Sequence, residues 1–480
     1  MAIILDQIKG LADSKWNGIP GSVYKCVGLD IHSTPGITKV QQKLTKNSGS
    51  TVDAFCRVAV NASNGYTFWF SYTTGKIFAR NSSGTWSLAY TTSPAAGSAG
   101  CLGAIEFNGY IFWATQSRLF RIAIANADDS WASVDTNWQT FSITDSEFHP
   151  MAIQDATLFI GDGYYVSKVT AAMAFTAAAL DIKTPHRVKC MSDYELDLVV
   201  GTIVATTVGK AEIFRWDTVS SSWISSDTIE ANGINCFIRD DNDLYVQAGR
   251  AGMIYFYNGE KLEPAKRIPG DYSNVKYGEV YPGSTATFKG IPVFGFSNSP
   301  ESGNSTGNPA DQGVYSFGAY SRDYQKVLDL SFVISEAVVV GIEIGAILVS
   351  DFDIFVAWKN GSSFGVDKID YTAKYASAYF ETRMMWQNER ASLKLLQQVE
   401  AFYASLPAST SFTFSYSVNG AAYVAMPTAV TDTKRFLQYS ELGVDEIGSL
   451  QIKVAFNVSS NSAPEMEALG ITKDGNEEDA

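Results

Sequence analysis

Apolar and polar residues alternate along this chain in short runs, and one arrangement of them recurs. Gly65-Tyr66-Thr67-Phe68-Trp69 returns as Gly109-Tyr110-Ile111-Phe112-Trp113, 44 positions later. Similar strands follow at Thr157-Leu158-Phe159-Ile160, Leu196-Asp197-Leu198-Val199-Val200, Asp243-Leu244-Tyr245-Val246, Ile291-Pro292-Val293-Phe294 and Ile347-Leu348-Val349, making seven units. After a turn, each is followed by a second strand with an aliphatic–aromatic or equivalent pair: Ile77-Phe78, Leu119-Phe120, Tyr165-Val166, Ile213-Phe214, Ile254-Tyr255, Val314-Tyr315 and Ile354-Phe355. The two series keep step at about 45 residues, the period of four antiparallel strands per propeller blade. Polar turns with Gly or Asn, such as Ser83-Gly84-Thr85-Trp86 and Asn258-Gly259, supply hairpin tips, where those residues accept a positive φ most easily. The aromatic pairs are read as packing between blades, because large rings bury most of the area at sheet contacts.

This pattern predicts an all-β chain: an N-terminal arm over 1–53, a seven-bladed β-propeller over 54–375 and a C-terminal β-sandwich with an acidic tail over 376–480. The arm holds few periodic apolar residues and two Gly/Pro turns, at Pro20-Gly21 and Pro35-Gly36. The sixth unit is lengthened by the polar stretch Ser297 to Pro309, read as a solvated loop suited to contact with a neighbouring subunit. Beyond the propeller, strands are expected at Tyr379-Phe380-Glu381-Thr382, Ser411 to Tyr416 and Leu450 to Phe456, with a hairpin at Val418-Asn419-Gly420. Leu393 to Leu406 fits a helix through Leu395, Val399 and Phe402, and fits a strand through Leu393, Leu395, Val399, Ala401 and Tyr403.

Composition narrows the function. There are 36 Lys and Arg against 50 Asp and Glu, a net charge of −14, and the basic residues are scattered. That argues against a nucleic-acid clamp, which needs a clustered positive surface, and leaves room for a channel through which DNA slides without adhering. Aromatic residues at 13% favour β structure. The five cysteines, Cys26, Cys56, Cys101, Cys190 and Cys236, have no zinc or redox spacing and read as buried free thiols. The start, Met1-Ala2-Ile3-Ile4-Leu5-Asp6, lacks the basic and long apolar stretches of a signal peptide, so a reducing cytoplasm is expected during assembly. Ala337 to Ser350, the most apolar run, is broken by Gly341, Glu343 and Gly345 and is shorter than a membrane span. The sequons at Asn61, Asn81, Asn304, Asn360 and Asn457 read as polar turns.

Candidate chemistry is sparse. His32, His149 and His186 lie far apart in none of the spacings of a metal site, and no Gly-x-Ser-x-Gly elbow occurs. Asp193, Asp243 and Asp353, near strand starts, are candidates for propeller glycosidase carboxylates, against the commoner role of Asp in closing turns. Asp240-Asp241-Asn242-Asp243 and Asp351-Phe352-Asp353 are weak calcium candidates, the first lacking the Gly and distal Glu of an EF-hand loop. Trp216-Asp217 is a single pair, and neither a kelch doublet nor an Asp-box recurs. No catalytic, cofactor-binding or metal-ligating residue is therefore assigned, and no cofactor or enzymatic activity is expected.

The arm carries Trp16-Asn17-Gly18-Ile19-Pro20-Gly21-Ser22 and Leu29-Asp30-Ile31-His32-Ser33-Thr34-Pro35-Gly36-Ile37-Thr38-Lys39-Val40 ahead of the degenerate propeller. The C-terminal part carries Tyr379 to Arg383, Ser411 to Gly420 and Ser460 to Ile471. This layout resembles virion tail proteins of tailed bacteriophages, most of all the tail nozzle or packaged-DNA stabilisation proteins of short-tailed phages. The resemblance implies a structural subunit of the virion tail in a homo-oligomeric ring, usually of six copies. Such a ring extends the portal and tail channel and retains the genome until DNA ejection. It implies adaptor, portal or other tail proteins as partners, DNA only as passing cargo, and assembly in the host cytoplasm. Propellers of tail tips and fibres suggest the alternative, a module that binds a host receptor or carbohydrate.

Overall fold

The computed structural model describes residues 3–5, 8–15, 18, 20–93, 100–144, 146–204, 209–272, 278–298, 311–319, 326–336, 342–386, 396–433, 437–441 and 449–473. It is an all-β propeller. Five four-stranded antiparallel sheets follow one another along the chain. They start at Cys56–Asn61, Gly103–Phe107, Met151–Gln154, His186–Tyr194 and Ile234–Asp240, the inner strands of blades one to five. The last blade begins at Glu343–Ser350, and its outer strand is Gln42–Lys46, drawn from the segment expected to be an arm. Ile369 stands opposite Leu44 and Asp367 opposite Lys46. A strand from near the start of the chain thus closes the ring.

Six blades stand as separate four-stranded sheets, where the repeat count predicted seven. The difference arises in the sixth repeat unit. Its strands, Thr285–Phe288, Ile291–Asn298, Gly313–Gly318 and Val327–Phe332, pair in the expected antiparallel way. The outermost does not end as a free edge. Val23–Val27 joins it in parallel, with Val27 opposite Leu330 and the Gly28 N–H donating to the Leu330 carbonyl at 2.8 Å. Val23–Val27 then pairs with Tyr379–Thr382, and the sheet runs on through Ser449–Asn457 and Ser411–Val418. The unit is therefore part of one eleven-stranded sheet. Parallel addition to an outer strand satisfies hydrogen-bonding groups that a blade edge leaves to water. The inner strand Thr285–Phe288 still packs between those of blade five and the last blade.

A further sheet contains Ile3–Leu5, Met466–Lys473, Leu396–Tyr403 and Leu437–Glu441. Val399, Ala401, Tyr403 and Leu469 from it share a core with Phe412, Phe414, Val454 and Phe456 of the eleven-stranded sheet. Both sheets recruit strands from the N-terminal segment, so neither is confined to 376–480. Leu396–Tyr403 is extended: Val399, Ala401 and Tyr403 are buried while Glu400 and Phe402 are less so, the period of a strand. Asn419 and Gly420, with φ of 52° and 76°, form the expected hairpin tip. Residues 299–310 of the long polar loop, 337–341 of the apolar run, 393–395 and the acidic tail from 474 lie outside the described residues.

The seams between blades are filled by the large side chains of the repeats. Trp113 and Phe70 share a core between blades one and two, Phe159 and Trp216 between three and four, and Trp69 and Phe355 between the last blade and the first. Phe159 and Trp216 meet edge to face at 5.5 Å. Each such side chain contributes roughly 1.5–3 kcal/mol by leaving water. All five cysteines are buried and unpaired. Burial pushes the thiols of Cys101 and Cys236 up to about 12.

One buried polar contact pins the N-terminal segment to the eleven-stranded sheet. His32 Nε2 and Asp329 Oδ1 share a 2.5 Å hydrogen bond, with both side chains almost fully enclosed. Asp329 Oδ2 accepts from Ser331 Oγ at 2.5 Å, and Ser316 Oγ lies 2.7 Å from Ser331. Burial works against a charge on His32, but the Asp329 carboxylate more than offsets it and holds the imidazole above its usual range. Removing one member of a buried pair strands the other, so Asp329→Asn is expected to destabilise the fold by about 3 kcal/mol, read by denaturant unfolding. In a thiol-labelling assay at neutral pH, none of the five cysteines should react in the folded chain, and all five should react after denaturation.

Candidate functional site

The inner strands surround a central axis, which is divided into two parts. On the side of the hairpin tips, where each inner strand turns into its neighbour, is a cavity of about 350 Å³. Its walls come from Val58, Ala104, Met151, Met191, Ile238 and Thr287, one or more from nearly every inner strand. Below it the axis is shut by glycines and prolines that let backbones approach closely. A Cβ added at Gly103 would stand 1.8 Å from the His149 carbonyl, and one at Gly283 would stand 2.2 Å from the Arg57 carbonyl. No side chain fits at those two places.

Beneath this floor is a cluster of buried charges. The Arg57 guanidinium is held between the rings of Tyr72 and Tyr281, 3.8 and 3.9 Å from their centroids. Its Nη2 is 3.3 Å from Glu343 Oε2, which also accepts from the Tyr281 hydroxyl at 2.7 Å. Lys359 Nζ meets the other Glu343 oxygen at 2.5 Å. Next to them Lys189 Nζ donates to Asn235 Oδ1 at 2.8 Å and is 3.4 Å from Glu279 Oε2. Burial disfavours the Arg57 charge, yet the Tyr281 and Tyr72 phenols and the Glu343 carboxylate hold its pKa above the ordinary value. Burial, more than any neighbour, drives the Tyr281 phenol well above its usual range. Cation stacked on rings and paired with carboxylate is a stable buried arrangement, because every charge keeps a close counterpart.

The carboxylates singled out from the sequence are not brought together. Asp193 Oδ2 accepts from Arg239 Nη1 at 2.5 Å at the cavity mouth. Asp243 is bound to Lys326 at 2.7 Å, which Asp240 shares at the same distance, and Asp353 is bound to Lys368 at 2.7 Å. The three candidates are paired with three different cations, Lys326 being shared with Asp240, and Asp241 and Asp351 occupy left-handed turn positions. The histidines are equally dispersed. His32 faces Asp329, His186 Nε2 is 3.3 Å from Glu212, and His149 is enclosed between the carbonyls of Gly161 and Gln116. Among the described residues, no group of three or more His, Cys, Asp or Glu is placed to hold a metal ion.

Sequence reasoning missed the axial charges. A signal for two of them was present: Arg57 and Glu343 are the single charges of their strands, in Cys56-Arg57-Val58 and Ile342-Glu343-Ile344, whereas Lys189 shares its strand with Arg187 and Asp193. Each is on the inner strand of its unit.

No family model matches the chain. No curated protein matches it by sequence. Solved structures that it is similar to include an extracellular domain assigned to a hybrid two-component system of B. thetaiotaomicron, at 12% identity and a TM-score of 0.47, covering 84% of this chain and 48% of that one. A streptogramin B lyase aligns at 12% identity and a TM-score of 0.40, covering 69% of this chain and 98% of the lyase. The structure of U3-55K aligns at 11% identity and a TM-score of 0.45, covering 68% and 98%. This chain thus spans about half the length of the bacterial ectodomain. Its propeller is evident from its own strand order and ring closure. Among the described residues, no helix is long and apolar enough to cross a membrane.

Glu343 is the hub of the axial cluster, in contact with Arg57, Lys359 and Tyr281. Glu343→Gln is expected to lower the unfolding free energy by about 3 kcal/mol, measured in guanidinium, because Arg57 then stays buried without a carboxylate.

Proposed function

We propose that this chain is a structural protein of a bacteriophage tail, a nozzle or hub subunit that forms a homo-oligomeric ring around the DNA channel. The observation that supports it is mechanical. N-terminal strands are built into the last blade, the eleven-stranded sheet and the sheet packed on it, so propeller and C-terminal strands form one braced body. Such a body carries load without hinging. Its tail position, its assembly in the host cytoplasm and its contacts with portal, adaptor or other tail proteins come from the resemblance of the layout to tail nozzles. The reading is non-enzymatic and needs no cofactor: the candidate carboxylates are each committed to a cation, which suits a scaffold better than acid–base chemistry.

A second reading, a receptor- or carbohydrate-binding propeller of a tail tip or fibre, is favoured by the open cavity on the axis, with Arg239 and Thr287 among its lining. The two readings part in one experiment on the full chain. A nozzle subunit forms rings of several copies by native mass spectrometry and electron microscopy, and binds a phage portal or adaptor protein. A chain that stays monomeric at high concentration and binds neither overturns that reading. Host-surface binding abolished by Met191→Trp, which fills the cavity, supports the receptor reading instead.

A further inference from the structure

Some hairpins between inner and second strands have two successive residues at positive φ at their tips. In blade two the pair is Asn108-Gly109, with φ of 46° and 79°, and in the sixth repeat unit it is Lys289-Gly290, with φ of 52° and 78°. Glycine at the second position is the unstrained choice. Two blades depart from this, blade three with Asp155-Ala156, with φ of 45° and 54°, and the last blade with Asp351-Phe352, with φ of 52° and 68°. A phenylalanine is held in the left-handed region, and its side chain is not used to fill a core: Phe352 is 87% exposed. The tip is braced rather than loose, since the Tyr371 hydroxyl donates to the Phe352 carbonyl at 2.9 Å. Strain maintained to present a bare ring to solvent points to a contact outside the chain.

Charge restricts what that contact can be. Asp155, Glu195, Asp217, Asp241 and Asp351 all stand at turns on the hairpin-tip face. Two copies meeting through this face would bring like charges together. The opposite face carries charges of both signs, Lys183 and Arg267 with Asp53, Glu230 and Asp271, and beside the N-terminal strand Val23–Val27 it has a pocket of about 200 Å³. Leu11, Cys26, Val27 and Leu330 give the pocket apolar walls, Pro269 and Gly270 form part of its rim, and the ion pair of Lys25 with Asp311 at 3.1 Å borders it. It is large enough for one phenyl ring, and it is on a different surface from Phe352. A knob and a hole on different surfaces make a head-to-tail contact, the kind that closes into a ring when the rotation allows.

We propose that Phe352 is the anchor of a contact between copies of this chain, its ring seated in the pocket bordered by Leu11, Val27 and Pro269 of the next copy. This rests on the ring-forming reading above and names the residues that make the ring. Phe352→Gly tests it, because the substitution removes the knob and the backbone strain together. Sedimentation of the full chain should show self-association weakened roughly tenfold or more, as for an interface hot spot, while the thermal unfolding midpoint rises. A midpoint that rises with assembly unchanged overturns the inference and leaves the ring-forming reading standing; a wild-type chain that never associates overturns both. A second test uses the fact that the native cysteines are buried. Chains bearing Phe352→Cys and chains bearing Gly270→Cys should form a disulfide-linked dimer under mild oxidation when mixed, and neither should do so alone. Absence of that dimer, or self-linking of Phe352→Cys, overturns the proposal.

Discussion

The structure depends on closing a ring of sheets, and the closing contact is a single antiparallel pairing between Gln42–Lys46 and Ser363–Lys374. Each blade packs only on its two neighbours, so an open ring would expose the apolar faces of its first and last members. The core shared by Trp69 of blade one and Phe355 of the last blade is formed only when those two meet. Because the closing strand comes from before blade one and pairs within the last blade, it ties both ends of the propeller together. The hydrogen bonds themselves contribute modestly. Their larger effect is to hold the terminal seam in register so that its apolar area stays buried.

A closed ring leaves an axis, and this chain fills one end of it with charge rather than with apolar side chains. Arg57, Lys189, Glu279 and Glu343 come from different parts of the ring and satisfy one another across it. Apolar side chains would pack there in many ways, whereas paired charges and aromatic plates fit in few, which fixes the rotation of each blade about the axis. The same economy is seen at the tips, where Asp193, Asp243 and Asp353 are held by Arg239, Lys326 and Lys368.

What could be read from the sequence was what is local. The recurrence of Gly65 to Trp69 at Gly109 to Trp113 reports hairpins whose partners are a few residues apart, and those hairpins are present. Phe78, Phe120, Phe214 and Phe355 of the aromatic pairs are buried at blade contacts, as period and size imply, whereas Tyr165 is only half-buried and outside those cores. Non-local pairing left little trace. Gln42–Lys46 has one buried apolar residue, Leu44, and nothing in Gln-Lys-Leu-Thr-Lys tells that its partner is Ile369. The fusion of the sixth unit into a longer sheet was likewise hidden, since Val23–Val27 and Val327–Phe332 look like ordinary strands separately. The axial cluster was legible only through Arg57 and Glu343, single charges in their strands, a pattern that gains meaning once the inner strands are known to face one another.

The closing pairing also orders events in time. Lys46 and Phe364, joined through the Lys46 ammonium and the Phe364 carbonyl, are 318 positions apart. At ribosomal speeds of about 5–20 residues per second, the closing strand waits roughly 15–60 s for its partner to be made. Blades one to five can form by local hairpin pairing in that interval, while the Trp69 face of blade one stays uncovered. The nascent chain is thus a row of finished sheets with one sticky end, and the same geometry that gives the ring a firm seam makes its synthesis the stage most open to aggregation and most in need of a chaperone.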